Sequence, residues 1–241
     1  MSGWNLEKRV IVRRSFRHSG IRYLFQWNLR NHRRLSGRVS KDLWHALSTV
    51  VRGKVPLNVF EDENYGRASS MRVPARSSDD WFVDDLVRRG LLDIDLGSGD
   101  YCGICDGISC LRKVKNRHLQ VQDYLLKNDP GMVAMEIPVW SGFLRLTGHV
   151  DLVRISDGHV DVIDYKPEGR FLRSMPQVAV YSYLLDSCYP TLRLEDMRCV
   201  SFNEKEAWAY SPQVLRDLSP RLDSGNLVQC VLDRYDMIRG G

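Results

Sequence analysis

Residues 151–166, DLVRISDGHVDVIDYK, contain two runs of alternating apolar residues separated by Asp157 and Gly158. An Asp-Gly pair between two such runs is the strongest short signal for a two-residue β-hairpin turn. A turn at these two residues pairs the runs so that Asp151 lies opposite Asp164. The hairpin then places two carboxylates on one face of a sheet, with Cβ atoms about 5 Å apart.

Two like charges facing each other in a sheet are destabilising unless they share a proton or bind a cation. Lys166 follows Asp164 by two residues and therefore points to the same face, whereas Asp161 lies on the other face and is predicted to be exposed. Mg²⁺ commonly takes one or two carboxylates and leaves its other positions to water and phosphate. We therefore predict a cation site beside Lys166. A bulge in place of the two-residue turn would separate the aspartates.

Hydrophobic periodicity around the hairpin predicts a mixed sheet flanked by helices, an α/β class with a helical N-terminal part. Ser40 is expected to cap the first helix and Gly53 to end it, while Ser174 and Pro176 open a later one. The predicted strands are 132–140, 144–155, 159–166, 198–202 and 206–210. The predicted helices are 40–52, 79–89, 111–127, 175–186, 212–222 and 226–238.

The composition is that of an ordinary globular protein: 241 residues, 43% hydrophobic and 27% charged. No apolar run is long enough to span a membrane, and the first residues lack the apolar core of a secretion signal, so we expect an intracellular, cytoplasmic protein. The net charge of +5 favours a polyanionic partner.

Arginines are concentrated near the N-terminus, and Arg13, Arg14, Arg33 and Arg34 are candidate contacts to a nucleic-acid backbone. A solvated charged surface is the alternative explanation. Three aromatic residues in the same region either stack on bases or belong to the core. They are Tyr23, Phe25 and Trp27.

Further chemistry-bearing residues flank the hairpin. Glu136 lies on the preceding predicted strand, and His118 lies on the apolar stripe of a predicted helix. Gln177 and Tyr181 are one turn apart on the helix that follows. Taken singly, each has a structural explanation: a buried histidine, a solvated glutamate, an exposed glutamine and a core-edge tyrosine.

The order of these residues, together with the sequence Gly148-His149-Val150-Asp151, resembles a known family. His, Glu, G-x-x-D, D-x-K and Q-x-x-x-Y follow one another as in the RecB-type branch of the PD-(D/E)XK nucleases. The series looks most like the small exonucleases related to CRISPR-associated RecB-like proteins. The resemblance covers residues 111–186.

The resemblance implies a restriction-endonuclease-like core in one domain, 1–241. Its basic, helical part would be 1–95, its motif-bearing core 111–186 and its C-terminal strands and helices 187–241. Residues carried over as ligands of Mg²⁺ or Mn²⁺ are Asp151, Asp164, His118 and the carbonyl of Tyr165. Lys166 would be the catalytic lysine and Glu136 a supporting acidic residue, while Gln177 and Tyr181 would shape the site and contact DNA.

A cysteine cluster departs from the family pattern. Cys102, Cys105 and Cys110 precede the helix of His118, whereas relatives usually place three of four cluster cysteines after the Q-x-x-x-Y helix. The C-x₂-C spacing suits a 4Fe–4S cluster or Zn²⁺, and three reduced thiols are the alternative. The fourth ligand would be another cysteine or His118, and the remaining cysteines are otherwise expected to be small buried residues.

The sequence as a whole predicts a divalent-metal-dependent deoxyribonuclease, specifically an exonuclease acting on single-stranded DNA or DNA ends. Two alternatives remain open. One is an endonuclease of the same superfamily. The other is a non-catalytic nucleic-acid-binding or zinc-knuckle module, against which the intact acidic and lysine positions argue.

Overall fold

The computed structural model describes residues 10–74, 79–96, 105, 108, 117–222 and 225–239. The strands are β1 (Ile11–His18), β2 (Ile21–Asn28), β3 (Gly66–Arg67), β4 (Leu92–Asp95), β5 (Met132–Ser141), β6 (Leu146–Ser156), β7 (His159–Tyr165), β8 (Met197–Phe202) and β9 (Ala207–Tyr210). The helices are α1 (Arg38–Val51), α2 (Asp79–Arg88), α3 (Arg117–Asn128), α4 (Phe171–Cys188) and α5 (Gly225–Arg239). Shorter helical turns lie at Leu29–His32, Leu57–Phe60, Ala68–Ser70, Leu194–Asp196, Pro212–Val214, Leu215–Leu218 and Ser219–Arg221.

The described strands form one sheet in the order β1-β2-β5-β6-β7-β8-β9-β4, and β3 pairs with β6 beside this path. The β7–β8 and β3–β6 pairs are parallel, and the other pairs are antiparallel. The predicted mixed α/β architecture with a restriction-endonuclease-like core is therefore confirmed. Its central hairpin, β6–β7, is the one that the Asp-Gly pair indicates.

Helices cover both faces of the sheet. Successive residues of β7 point to opposite sides, so Val162 joins the apolar cluster that contains α4. Ile163 joins a second cluster with Val121 and Leu125 of α3. The sheet is thus buried on both sides where β6 and β7 cross it. Among the described helices, none combines the length and apolarity that crossing a membrane requires.

The starts of two helices, α1 and α4, differ from the prediction. Ser40 does not cap α1, because Gly37 is the residue before its first turn, and the Ser40 hydroxyl instead donates to the carbonyl of Leu35. The left-handed Gly53 follows the end of α1 as expected. Pro176 lies inside α4 rather than at its start. The predicted helix over 212–222 is a series of short helical turns.

The N-terminal part, predicted to be helical over 1–95, also contains a β hairpin formed by β1 and β2. Strands β1 and β2 pair along their whole length around Ser19 and Gly20, which both have positive φ. The hairpin joins the central sheet through β5. Phe25 and Trp27 are fully buried on it, so these two aromatic residues belong to the core.

The prediction that Asp161 is exposed is wrong. Its side chain is fully buried on the face opposite Asp164 and is held by two guanidinium groups. Arg198 Nε lies 2.9 Å from its carboxylate, and Arg154 Nη1 lies 3.5 Å from it. Both arginines are cross-strand neighbours of Asp161 in the observed register. Burial raises the pKa of Asp161, and the two arginines only partly oppose this.

Candidate active site

Three adjacent strands each contribute one acidic residue at the same level of the sheet. The observed β6–β7 ladder pairs Ser156 with His159 and runs to Leu152 opposite Ile163, as the two-residue turn requires. Continuing this register by one step puts Asp151 opposite Asp164. On β5, Met135 and Ile137 pair with Leu152 and Val150, so the intervening Glu136 falls beside Asp151.

The sheet forks at this level. Beyond Leu152 the ladder between β6 and β7 ends, and further along β6 the residues Leu146 and Thr147 pair with β3 instead. Glu136 has a positive φ of 53°, which is rare for a residue other than glycine and is characteristic of functional sites when the surroundings enforce it. Asp151 and Asp164 therefore lie where β6 and β7 part.

Helix α3 adds a histidine to this cluster. His118 Nε2 lies 2.9 Å from Asp151 Oδ2. One ligand atom from each of His118, Glu136 and Asp151 can be chosen so that all three lie within 4.8 Å of one another. Gln122, one turn further along α3, donates its amide to Glu136 Oε1 at 3.0 Å and approaches His118 at 3.1 Å. The i,i+4 spacing of His118 and Gln122 is the signal that would have identified Gln122.

Lys166 completes the cluster from the end of β7. Its ammonium donates to Asp164 Oδ1 at 3.1 Å and lies 2.9 Å from Oδ2. Asp164 is 1% exposed and Lys166 is partly buried. The predicted common face of Asp164 and Lys166 is therefore observed.

The donor set fits a divalent cation. Two buried carboxylate oxygens, Asp164 Oδ2 and Glu136 Oε2, accept no hydrogen bond from the described residues. Each has a nitrogen within 3 Å that is outside hydrogen-bond geometry, from Lys166 and His149 respectively. Buried carboxylate oxygens without hydrogen bonds are costly, and a hard cation with oxygen ligands satisfies them.

The protonation equilibria of the cluster follow from burial and from mutual contacts. Burial raises the pKa of Asp164, and the charge of Asp151 raises it further, more than Lys166 lowers it. Burial also opposes ionisation of Asp151, but the hydrogen bond and charge of His118 outweigh it and hold the pKa of Asp151 below its usual range. Burial lowers the pKa of His118, yet Asp151 and the neighbouring carboxylates raise it to about 9. Without a cation, the cluster therefore holds protons at neutral pH.

The glycine of the G-x-x-D sequence makes room for the tyrosine of the Q-x-x-x-Y pair. A Cβ at Gly148 would lie 2.6 Å from Tyr181 Cε1, closer than such atoms approach. Gln177 donates its amide to the Tyr181 hydroxyl at 3.1 Å. Both side chains are buried, and burial together with the charges of Asp151 and Asp164 raises the pKa of Tyr181 well above its usual value. These residues line the rear of the site, and contact with DNA stays a prediction for them.

A cleft of about 490 Å³ opens beside the cluster. His118 and Lys166 line it together with Arg72, Arg170 and Arg173. The three arginine side chains are exposed, and no ion pair ties them to a described acidic residue. The sequence does not reveal this group, because the fold brings Arg72, which lies in a loop, to the start of α4, where Arg170 and Arg173 lie.

The N-terminal arginines lie elsewhere. Arg14 donates to the carbonyl of Val51 at 2.7 Å and thereby binds the C-terminal end of α1. Arg13 donates to Gln26 at 2.8 Å, while Arg33 and Arg34 are exposed after a single helical turn. None of the four is among the residues that line the cleft. A role for them in contacting DNA stays a prediction.

The cysteine cluster falls largely outside the described residues, which include Cys105 but neither Cys102 nor Cys110. Cys105 is buried in the apolar cluster of α3. Of the scattered cysteines, Cys199 is buried, whereas Cys230 is exposed, contrary to expectation. A 4Fe–4S or Zn²⁺ site stays a prediction, as does the backbone carbonyl of Tyr165 as a metal ligand.

The fold and site together define a mixed α/β protein with a cation-binding carboxylate cluster and an adjacent lysine at a fork in its sheet. The family model of the PD-(D/E)XK nuclease superfamily matches residues 66–227, more than half of the chain. The chain belongs to this superfamily, whose members are generally nucleases that use divalent metals. The match is to the superfamily, and the RecB-type branch stays a prediction. Searches of curated proteins and of solved structures found no match.

Proposed function

We propose that this protein is a metal-dependent deoxyribonuclease of the RecB type that digests single-stranded DNA or DNA from its ends. The observation that carries the proposal is the cluster of partly buried His118 with the buried carboxylates of Glu136 and Asp151 at the sheet fork, next to Asp164 and Lys166. Superfamily membership supports a nucleic-acid substrate. The basic cleft beside the cluster supports a polyanion.

Asp151, Asp164, His118 and Glu136 would hold Mg²⁺ or Mn²⁺. When bound, the cation polarises a phosphodiester and lowers the pKa of a bound water. Gln122 holds one oxygen of Glu136 and so orients its carboxylate.

Lys166 acts as a cation in this scheme. Burial opposes its charge, but Asp164 and Asp151 raise its pKa above the usual value, so it remains an ammonium at neutral pH. A fixed ammonium facing the cleft can neutralise charge that develops on the phosphate in the transition state.

A digestion assay tests the proposal. End-labelled single-stranded, linear duplex and covalently closed circular DNA are incubated with the protein in Mg²⁺, Mn²⁺ or EDTA. We expect metal-dependent shortening of the linear substrates and an intact circle. Cleavage of the circular DNA would show that the protein is an endonuclease rather than an exonuclease. DNA binding without cleavage in any metal would favour the non-catalytic module.

The arginines of the cleft give a second expected result. Changing both Arg170 and Arg173 to glutamine should raise KM for single-stranded DNA about tenfold and leave kcat within about threefold, because phosphate contacts position substrate without doing chemistry. The slope of log KM against log salt should fall by about 1.4, since each lost contact to a single strand removes about 0.7.

The matched control replaces Arg88 and Arg193, which are exposed and lie outside the cleft, with glutamine. It removes the same net charge and should leave both KM and its salt dependence close to wild type. Equal changes in the two double variants would assign the effect to net charge rather than to the cleft.

A further inference from the structure

The second oxygen of Glu136 has a neighbour that no family motif includes. Oε1 accepts a hydrogen bond from Gln122. Oε2 lies 2.8 Å from Nδ1 of His149, a close polar contact that falls outside hydrogen-bond geometry and leaves the oxygen open to a cation. His149 is the first variable position of the G-x-x-D sequence, and its side chain is 14% exposed. The carboxylate of Glu136 is therefore contacted at both oxygens by side chains from different elements, α3 and β6.

His149 is itself fixed by aromatic packing. The Tyr23 ring packs against it at an angle of 42° between the ring planes, with 3.7 Å between the ring centroids. Phe16 and His18 approach its edges at centroid distances of 6.4 and 5.8 Å. All three neighbours belong to the β1–β2 hairpin, where Phe16 and Tyr23 are directly opposite each other.

The hairpin is tied to the site strands by polar contacts. His18 Nε2 lies 3.1 Å from the hydroxyl of Thr147 on β6. Arg67 on β3 donates to the Tyr23 hydroxyl at 3.3 Å. The hairpin precedes residues 66–227, so it contributes to the site from outside the segment that matches the superfamily. A contact chain thus runs from the hairpin through Tyr23 and His149 to Glu136.

We propose that His149 is a positioning residue for the cation site: its Nδ1 orients the Glu136 carboxylate, and the β1–β2 hairpin holds His149 in place through Tyr23. The inference rests on the proposed function, because it requires Glu136 to be a cation ligand. Glu136 has an uncommon backbone conformation, which persists only where surrounding contacts enforce it. Mutation of a residue that contacts a metal ligand, but not the metal itself, typically lowers metal affinity 10- to 100-fold.

The test measures Mn²⁺ binding by calorimetry on the full chain without DNA. His149→Asn keeps an amide nitrogen near the position of Nδ1, whereas His149→Gln moves it towards the position of Nε2, and His149→Leu removes it. We expect the dissociation constant to rise at least about tenfold in the Gln and Leu variants. The Asn variant should stay within about threefold of wild type.

Two tyrosine variants test the hairpin. Tyr23→Leu removes the ring that packs against His149 and should weaken Mn²⁺ binding about three- to tenfold. Tyr23→Phe keeps the ring and loses only the hydroxyl contact to Arg67, so its affinity should equal that of wild type. Thermal unfolding in EDTA is recorded for every variant. Because a structural defect alone lowers stability without discriminating Asn from Gln, the affinity pattern separates positioning from packing.

The outcomes are distinguishable. Wild-type protein that binds no Mn²⁺ would overturn the proposed function itself. Wild-type binding with unchanged affinity in both His149→Gln and His149→Leu would overturn only the positioning role. Equal weakening in the Asn and Gln variants would reduce His149 to a packing residue. If His149→Leu fails to fold, the Asn and Gln pair, both polar and close to imidazole in size, decides the question.

Discussion

Replacing Asp164 with asparagine should abolish metal-dependent cleavage of DNA and leave the metal-free protein at least as stable as wild type. Both expectations come from the same feature, a buried carboxylate whose charge the fold does not fully compensate. Asparagine keeps the shape of the side chain and removes the charge that would bind the cation. Loss of a carboxylate that binds the cation directly should lower the affinity for Mn²⁺ at least 100-fold, the largest effect typical of residues that only contact a metal ligand.

The stability effect depends on pH with a definite sign. Burial and the charge of Asp151 raise the pKa of Asp164 to about 8, against about 3.9 for an unfolded aspartate. A group whose pKa is raised by folding contributes stability below its unfolded pKa and loses it as the pH rises through the folded value. In EDTA the wild type therefore loses this contribution between about pH 4 and pH 8, and Asp164→Asn does not.

Thermal unfolding at pH 5, 7 and 9 in EDTA measures this difference. The variant should gain on the wild type as the pH rises, and Mn²⁺ should reverse the order by stabilising only the wild type. A variant that unfolds at lower temperature than wild type at pH 9 in EDTA would show that ionised Asp164 is structural. Retained cleavage would remove Asp164 from the site.

Asp161 on the same strand supplies the matched control. It is equally buried but faces Arg154 and Arg198 on the other side of the sheet. Burial raises the pKa of Asp161 as it does that of Asp164, but two guanidinium groups donate to the Asp161 carboxylate. Asp161→Asn should therefore lose about 1–3 kcal/mol, because it removes the charged partner of these hydrogen bonds, and it should keep the affinity for Mn²⁺. Opposite outcomes at two aspartates three residues apart would separate a functional carboxylate from a structural one.

The part of the site geometry that depends on local sequence could be predicted. The main example is the β6–β7 hairpin. A two-residue Asp-Gly turn fixes the pairing, and the pairing places Asp151, Asp164 and Lys166 relative to one another. The same register also puts Arg154 opposite Asp161. Applied to that pair, it would have corrected the expectation that Asp161 is exposed.

The N-terminal hairpin, β1–β2, could also have been predicted from its turn residues. Ser19 and Gly20 separate two runs with apolar and aromatic residues, a turn signal of the kind that connects strands. The density of arginines in these strands is also typical of a nucleic-acid surface, and this pattern competes with the strand signal. The strands are nevertheless central to the fold, because β2 pairs with β5 next to the candidate active site.

What the sequence could not predict depends on contacts between distant segments. The fork between β6 and β7, the positive φ of Glu136 and the contact from Gln122 need β3, β5 and α3 to be placed first. Among the arginines of the cleft, Arg72 precedes Arg170 and Arg173 by about 100 residues in the chain. The periodicity of hydrophobic residues within one helix or strand gives no information about contacts between distant segments.

Lys166→Met should reduce kcat about a thousandfold, equivalent to about 4 kcal/mol, without weakening the binding of Mn²⁺. Its ammonium is the only charge removed, and methionine keeps most of the aliphatic length. In the metal-free protein that ammonium lies 2.9 Å from Asp164 Oδ2, an oxygen that a cation would take. Removing it removes a competitor, so the dissociation constant for Mn²⁺ should stay the same or fall.

This pair of results distinguishes Lys166 from the carboxylates, whose loss should weaken metal binding and catalysis together. The control is Lys127→Met, which removes an exposed lysine paired with Asp123 on α3 and should change neither quantity. Lys166→Arg retains charge without the compact ammonium and should recover only part of the rate. Full activity in Lys166→Met would mean that the metal ligands alone stabilise the transition state. Reduced Mn²⁺ affinity in the same variant would instead make Lys166 a residue that shapes the cation site, because the ammonium would then support the carboxylates rather than compete for them.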